Sequence, residues 1–349
     1  MTYLRNAWYM AGWMDEVTVE HGLARTLLDE PVYIYRDVAG EAHALLDRCP
    51  HRFAPLSMGR RDGDVVVCAY HGLGFGGAGR CVRNPHGPVT RSLDVRSYPV
   101  AEAHRILWIW MGDPALADPM SIMDLSFLSS ATEASFNNGY INGHGHYQLF
   151  VDNILDLSHT DYLHPDTLGG GAISRTRAKV MQRDDGVISI YWHVVDDVPT
   201  PLFRQFLPEK TDRVDSWTEV DWTAPGVMKL VSGAVETGGS RAGALNVENV
   251  HIFTPNTSVS THYFFASTRN FGVDNVTLNE SIRTARARIF SSEDEPMIAA
   301  QQQRMGDRDF WSLRPALLRT DEGAVKVRRR MDELIAREAS ELAINRNIG

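Results

Sequence analysis

The sequence predicts an α+β protein in two parts: a small all-β domain, then a larger domain in which an antiparallel sheet is packed by helices. Three observations carry this expectation. Up to about residue 115, short apolar, β-branched or aromatic runs are punctuated by Gly and Pro. The second half mixes strand-patterned runs with a helical stretch. Two long, charged, helix-patterned segments follow near the C-terminus, and strands followed by helices favour the α+β arrangement.

In order along the chain, Pro31–Arg36, Asp64–Cys68 and Ile106–Trp110 read as strands bounded by turn residues. Gly112-Asp-Pro-Ala-Leu-Ala-Asp-Pro is a turn-rich break. It divides the chain into an expected all-β domain over 1–125 and a second domain over 126–349. Phe150–His164 can form a helix. Val187–His193, Trp217–Trp222, Val247–Phe253 and Val259–Ser267 read as strands. Leu278 to about Met305 and Gly323 to about Ile344 read as the long helices. There is no internal repeat.

At 349 residues, with 43% apolar and 23% charged residues, the chain can build a sizeable core without disulfides. A net charge of −9 argues against nucleic-acid binding, which needs a basic stripe. No apolar run is long enough to span a bilayer. The start, Met1-Thr-Tyr-Leu-Arg-Asn-Ala-Trp, lacks the basic and apolar regions of a signal peptide and reads as folded protein. With only Cys49, Cys68 and Cys81, a disulfide framework is not expected, and the reducing cytoplasm is the expected location.

Cys49-Pro-His51 and Cys68-Ala-Tyr-His71 are two mixed Cys/His pairs with residues 52–67 between them. In a Rieske [2Fe–2S] centre two thiolates hold one iron and two imidazoles the other, so one Cys and one His must come from each of two loops. The alternative, a structural zinc site, more often pairs like with like. The mixed pairs favour the Rieske reading. Cys81 lies outside the pairs and reads as a buried thiol.

A second segment, Asn153-Ile-Leu-Asp156-Leu-Ser-His159-Thr-Asp-Tyr-Leu-His164, carries candidate metal ligands. A helix would place Asp156 and His159 on one face, but it would turn His159 and His164 apart. Shared ligation therefore requires a bulge or a break, and Pro165 disfavours helical geometry at His164. Two histidines need a carboxylate to complete the facial triad of a mononuclear non-haem Fe(II) site. Glu293, Asp294 and Glu295 are the candidates, and composition does not choose among them; the alternative is a solvated charge run.

Together these residues resemble the oxygenase (alpha) component of Rieske non-haem iron aromatic oxygenases, of the vanillate and dicamba O-demethylase and toluenesulfonate methyl-monooxygenase group. The resemblance runs over nearly the full length. It includes Arg5-Asn-Ala-Trp-Tyr, Cys49-Pro-His-Arg-Phe-Ala-Pro-Leu-Ser, Tyr70-His-Gly-Leu, Trp108-Ile-Trp-Met-Gly-Asp-Pro, Val151-Asp-Asn-Ile-Leu-Asp-Leu-Ser-His, Phe264-Phe-Ala-Ser-Thr-Arg-Asn-Phe and Glu293-Asp with Gln301-Gln-Gln-Arg. It implies a Rieske domain followed by a helix-grip (START-like) catalytic domain. It also selects Asp294 as the carboxylate beside His159 and His164, and makes Asp156 a bridge between His71 of one chain and His159 of the next in a head-to-tail trimer. Ala69 and Gly76 depart from the Pro and Asp common in such relatives; neither change removes a ligand.

The expected function is that of a terminal monooxygenase, fed by a separate flavin- and iron–sulfur-containing reductase that uses NAD(P)H. The expected reaction is O-demethylation of a small, acidic aryl methyl ether to a phenol and formaldehyde. Gly74-Phe-Gly-Gly-Ala-Gly opens no helix and does not read as a dinucleotide site. Lys229 and His251, inside apolar strand patterns, are candidate substrate-facing residues, as is Asn153. A buried cation at Lys229 could hold a carboxylate or sulfonate; the alternative is a solvent-facing strand residue. Rival readings are methyl or ring hydroxylation, N-demethylation, and a non-enzymatic Rieske electron carrier joined to a ligand-binding domain.

Overall fold

The computed structural model describes residues 3–168 and 172–348. Met1 and Thr2, where the segment read as a folded start begins, lie outside the described residues. The chain forms two compact units. One runs to Ile122 and also takes in Thr254–Thr257; the other comprises Met123–Phe253 and the chain from Ser258.

The first unit is built from three small sheets: β1 (Trp8–Trp13), β11 (Ile106–Trp110) and β10 (Val100–Ala103); β2 (Leu23–Leu27), β3 (Glu30–Arg36), β4 (Ala42–Leu46) and β9 (Ser97–Tyr98); and β5 (Arg60–Asp62), β6 (Val65–Val67), β7 (Gly74–Phe75) and β8 (Cys81–Arg83). Every residue of β1 and β11 is buried. Their antiparallel register places Trp8 opposite Trp110, with the indoles edge-to-face at 5.4 Å, a cross-strand aromatic pair of the kind that stabilises a sheet. The returning segment is tied in by backbone bonds from Leu28 N to Pro255 O (2.8 Å) and Asp29 N to Asn256 O (3.0 Å).

The second unit centres on a seven-stranded sheet ordered β12 (Asn137–Gly143), β18 (Ser260–Arg269), β17 (Leu245–Thr257), β16 (Val227–Glu236), β15 (Val214–Thr223), β14 (Ile188–Asp197) and β13 (Lys179–Gln182). Side chains alternate between its faces. One face carries Ile190, Val220, Met228, His251 and Tyr263. Helices cover that face: α2 (Tyr147–Leu155) through Phe150, whose ring is 5.8 Å from Phe253 and 6.1 Å from Tyr263; α6 (Val276–Ile289); and α8 (Glu322–Ile348), which lays Gly323 against Ile190. Arg328 of α8 forks onto Asp152 of α2 (2.6 and 2.8 Å), bonds Gln148 (2.9 Å) and lies over the Phe310 ring. Breaking such a largely buried pair typically costs about 3–5 kcal/mol. The shorter helices are α1 (Ser126–Ser130), α3 (Thr160–Leu163), α4 (Ala172–Arg175), α5 (Pro201–Arg204) and α7 (Glu295–Met305).

Two expectations are corrected. The helix read over Phe150–His164 is interrupted: α2 stops at Leu155, Asp156 is extended (φ −127°, ψ 90°), a 3₁₀ turn spans Leu157–His159, and α3 follows. The Asp156 carboxylate accepts from Ser158 N (2.9 Å), so a side-chain cap replaces the helical continuation. The strand β12, Asn-Asn-Gly-Tyr-Ile-Asn-Gly, lies outside the strand patterns of the sequence. Its Asn and Gly content disfavours a strand, and seven paired positions with β18 impose one. Among the described residues, no helix is long and apolar enough to cross a membrane.

Candidate functional site

In the first unit, two loops are built alike. Cys49 N donates to Ala54 O (2.9 Å) and Phe53 N to Cys49 O (3.0 Å); Cys68 N donates to Leu73 O (2.8 Å) and Gly72 N to Cys68 O (3.0 Å). Each loop therefore turns back on its own cysteine, through a left-handed residue: Phe53 (φ +62°) and Gly72 (φ +73°). Only the second is a glycine, which adopts this geometry without strain. Both thiols are free and buried, within the apolar cluster of Tyr35, Leu45, Val66 and Phe75. Burial pushes the Cys49 thiol up from its ordinary range, and the adjacent Cys68 thiol adds to the effect. The His51 and His71 rings stand 4.4 Å apart, edge-to-face. Two adjacent thiols without a disulfide, beside two adjacent imidazoles, form the donor set of a Rieske centre. Cys81 lies apart, bonding Arg83 O (3.3 Å).

In the second unit, His159, His164 and Asp294 bring one ligand atom each to within 4.8 Å of one another. His164 Nε2 is 3.0 Å and His159 Nε2 3.5 Å from Asp294 Oδ1. His164 and Asp294 are buried; His159 is half-buried. Both Nδ1 atoms are occupied. His159 Nδ1–H donates to Asp156 O (2.6 Å), and His164 Nδ1–H to Glu293 Oε2 (2.6 Å), where Thr167 Oγ1 also donates (2.8 Å). A carbonyl can only accept, so His159 carries its proton on Nδ1 and turns Nε2 toward Asp294, as a metal-ligating imidazole requires. The hydrogen bond from His164 holds the Glu293 carboxyl below its usual range. Two imidazole nitrogens and one carboxylate oxygen fit a facial-triad iron.

The turn that presents Asp294 is unusual. Phe290–Asp294 is a π-helical turn between α6 and α7, in which Glu295 N donates to Phe290 O. Pro296 follows, at the start of α7. A proline ring collides with the carbonyl four residues back in a regular α-turn, and the wider π turn relieves that collision. Such turns often carry functional residues. Of the three acids, Glu293 orients His164, Asp294 faces both histidines, and Glu295 accepts from His144 N (3.1 Å) and Nδ1 (2.8 Å).

The remaining expected residues separate. Asn153 lies at the metal set, where its Nδ2 donates to Asp294 Oδ1 (2.9 Å). Asp156 meets His159 through its carbonyl, with its carboxylate engaged as the Ser158 cap. His251 is buried on the helix-covered face; its Nδ1 meets Tyr263 OH (2.7 Å), and its ring is 5.7 Å from Phe290 in the π turn. Burial, with the Arg286 charge in addition, holds His251 well below its ordinary pKa and hence neutral. Lys229 does not join it. Register pairs Met228 with His251 and Lys229 with Val250, so Lys229 is on the opposite face, bound to Glu248 (3.1 Å) and over the Phe127 ring. One pocket cannot use both faces of a sheet, and the expectation that Lys229 and His251 share it is corrected. The sequence offers Glu293 only as a candidate iron ligand, not as the partner of His164, and it does not single out Arg286. For Arg286 the signal was spacing: it falls four after Ile282 and three before Ile289, on the apolar side of α6.

Comparison with known proteins agrees with this geometry. The Rieske [2Fe–2S] domain family matches residues 7–99, and the vanillate O-demethylase oxygenase C-terminal domain family matches 144–337. The chain belongs to the vanillate O-demethylase oxygenase family. It is 40% identical to the oxygenase component of chloroacetanilide N-alkylformylase from Rhizorhabdus wittichii, over 96% of this chain and 97% of that one. It is 38% identical to the dicamba O-demethylase oxygenase component of Stenotrophomonas maltophilia, over 97% and 100%. A crystal structure of dicamba monooxygenase with non-haem iron and dicamba superposes with a TM-score of 0.84 at 36% identity, covering 98% of this chain and 100% of that one. This Rieske oxygenase is thus a monooxygenase whose cofactors are a [2Fe–2S] cluster and a mononuclear non-haem iron. That sets aside both the zinc alternative and the non-enzymatic carrier.

Proposed function

We propose that this Rieske oxygenase is the terminal component of a multicomponent system that oxidatively demethylates a small, acidic aryl methyl ether. The observation that carries the reading is the His159–His164–Asp294 set, one carboxylate and two imidazoles whose ligand atoms lie within 4.8 Å of one another. In this reading Cys49, His51, Cys68 and His71 hold the cluster, and His159, His164 and Asp294 hold the single iron. When bound, the cluster would supply electron transfer and the iron would supply activation of dioxygen. The overall reaction balances as ArOCH3 + O2 + 2 e− + 2 H+ → ArOH + CH2O + H2O. A separate flavin- and iron–sulfur-containing reductase supplies the electrons from NAD(P)H.

The chain's own residues hold the geometry. Glu293 and the Asp156 carbonyl fix the two imidazoles, Asn153 fixes the Asp294 carboxylate, and the neutral His251–Tyr263 pair offers a polar contact to substrate on the same sheet face. We further assign Asp156 the link between His159 and His71 of a neighbouring chain in a head-to-tail homotrimer, a closed heterologous ring. Oxidative removal of an N-alkyl group is the second reading, favoured by the 40% identical N-alkylformylase component.

Product analysis with a reductase decides between them: formaldehyde with an equal amount of phenol is expected from a methoxybenzoate. An N-dealkylated (N–H) anilide formed from an N-alkyl anilide, with no formaldehyde from any methoxyarene, overturns the first reading. Asp294→Ala is expected to abolish turnover while the visible absorbance of the cluster persists; full activity would remove Asp294 from the iron.

A further inference from the structure

Arg286 lies on the inner side of α6, its guanidinium over the rings of Phe265 (5.5 Å) and Phe290 (5.8 Å). Its Nη1 is buried and has no hydrogen-bond partner. No carboxylate pairs with Arg286 among the described residues. Burial lowers its pKa to about 10, which still leaves it cationic near neutrality. Ring faces compensate a buried cation only in part, and an unpaired buried charge is among the costliest features a fold can keep. Two buried arginines of the same unit find acceptors: Arg328 pairs with Asp152, and Arg269 donates to Asn279 Oδ1 (2.8 Å) and Gly272 O (2.9 Å).

The surroundings indicate what completes Arg286. Phe290 belongs to the turn that presents Asp294, and its ring is 5.7 Å from His251 and 5.2 Å from Tyr263. A second buried donor without a partner, Trp222 Nε1, stands on the same sheet face, at the level of Met228 and His251. Guanidinium and indole nitrogens only donate, so the missing partner is an acceptor. A cation and aromatic faces beside the metal set suit an aromatic oxyanion.

We propose that Arg286 is the specificity-determining residue of the substrate pocket, donating to the carboxylate or sulfonate of an aromatic substrate held against His251 and Phe290. This rests on the oxygenase reading above and names the group that selects its substrate class. It replaces Lys229, whose charge is already matched by Glu248 on the other face.

The test is equilibrium binding to the holoenzyme by calorimetry, without reductant, so that no turnover is needed. The probes are benzoate, its three methoxy derivatives, benzenesulfonate and the matching benzamides and benzenesulfonamide. Wild type is expected to prefer the anions by at least about tenfold. Arg286→Gln is expected to weaken the anions about 10- to 100-fold, as for a lost charge-assisted hydrogen bond, and the neutral amides by less than about twofold. Arg286→Lys is expected to recover part of the preference. Binding of the carboxylates alone, or of the sulfonate alone, identifies which oxyanion the site takes. The melting temperature of ligand-free Arg286→Gln is expected to equal or exceed that of wild type; a loss of several degrees would mark Arg286 as structural. Equal weakening of anions and amides, no change in either, or no binding of any anion to wild type overturns the proposal. Anion binding through Arg286 without formaldehyde release overturns O-demethylation and leaves this inference standing.

Discussion

Glu293, Asp294 and Glu295 are consecutive, yet their carboxylates do different work. Asp294 Oδ1 lies within 3.0–3.5 Å of both imidazole Nε2 atoms, Glu293 accepts a hydrogen bond from His164 Nδ1–H, and Glu295 reaches back to His144. The His164–Glu293 bond fixes the tautomer and the ring plane of a metal ligand, a support whose loss typically costs 10–100-fold in metal affinity. Glu293→Ala is therefore expected to weaken iron binding by about that factor while the cluster absorbance is unchanged. Glu293→Gln, which can still accept at its amide oxygen, is expected to retain most of the affinity. Iron titration of the iron-depleted protein measures both; wild-type affinity in the alanine variant would show that packing alone holds the His164 ring.

At the scale of elements, both metal sites occur where regular structure is interrupted. The cysteine loops are twin turns that close on their own carbonyls, with a left-handed residue at Phe53 and Gly72. On the iron side, α2 stops at Asp156 because its carboxylate caps the next turn. The α6–α7 helix widens by one π turn just ahead of Pro296. Pro296→Ala is expected to let the turn relax toward α geometry and to swing Asp294 away from His159 and His164. The expected result is about a tenfold loss of iron affinity with helical circular dichroism unchanged. Full iron occupancy at low free iron would show that packing of Phe290 holds the π turn without the proline.

For the whole molecule, the cluster donors and the iron donors belong to different units of the chain. The proposed assembly predicts three irons per chain by metal analysis and a mass of three chains by light scattering. A stable monomer with full activity would remove the trimer from the reading. Asp156→Asn is expected to slow re-oxidation of the reduced cluster in a single turnover while iron content is unchanged; an unaltered rate would count against Asp156 as the link between chains.

The sequence by itself determined the donor types and their spacing: the mixed Cys/His pairs, the histidines followed by Pro165, and the acidic run before Pro296. These are legible because metal chemistry restricts residue identity and because local breakers announce themselves. It also determined seven of the eighteen strands among the described residues and both long helices, whose apolar periodicity is local. Only tertiary structure decided what depends on partners distant in sequence. β12 is a strand because β18 pairs with it, against its own propensity. Lys229 is excluded from the His251 side by sheet register, since one residue along a strand reverses the face. Glu293 separates from Asp294 by which nitrogen of His164 each meets. Arg286 reads as one more charge on a polar helix until the rings of Phe265 and Phe290 enclose it and no acid follows. Burial is a property of the packed chain, and so is an unanswered charge.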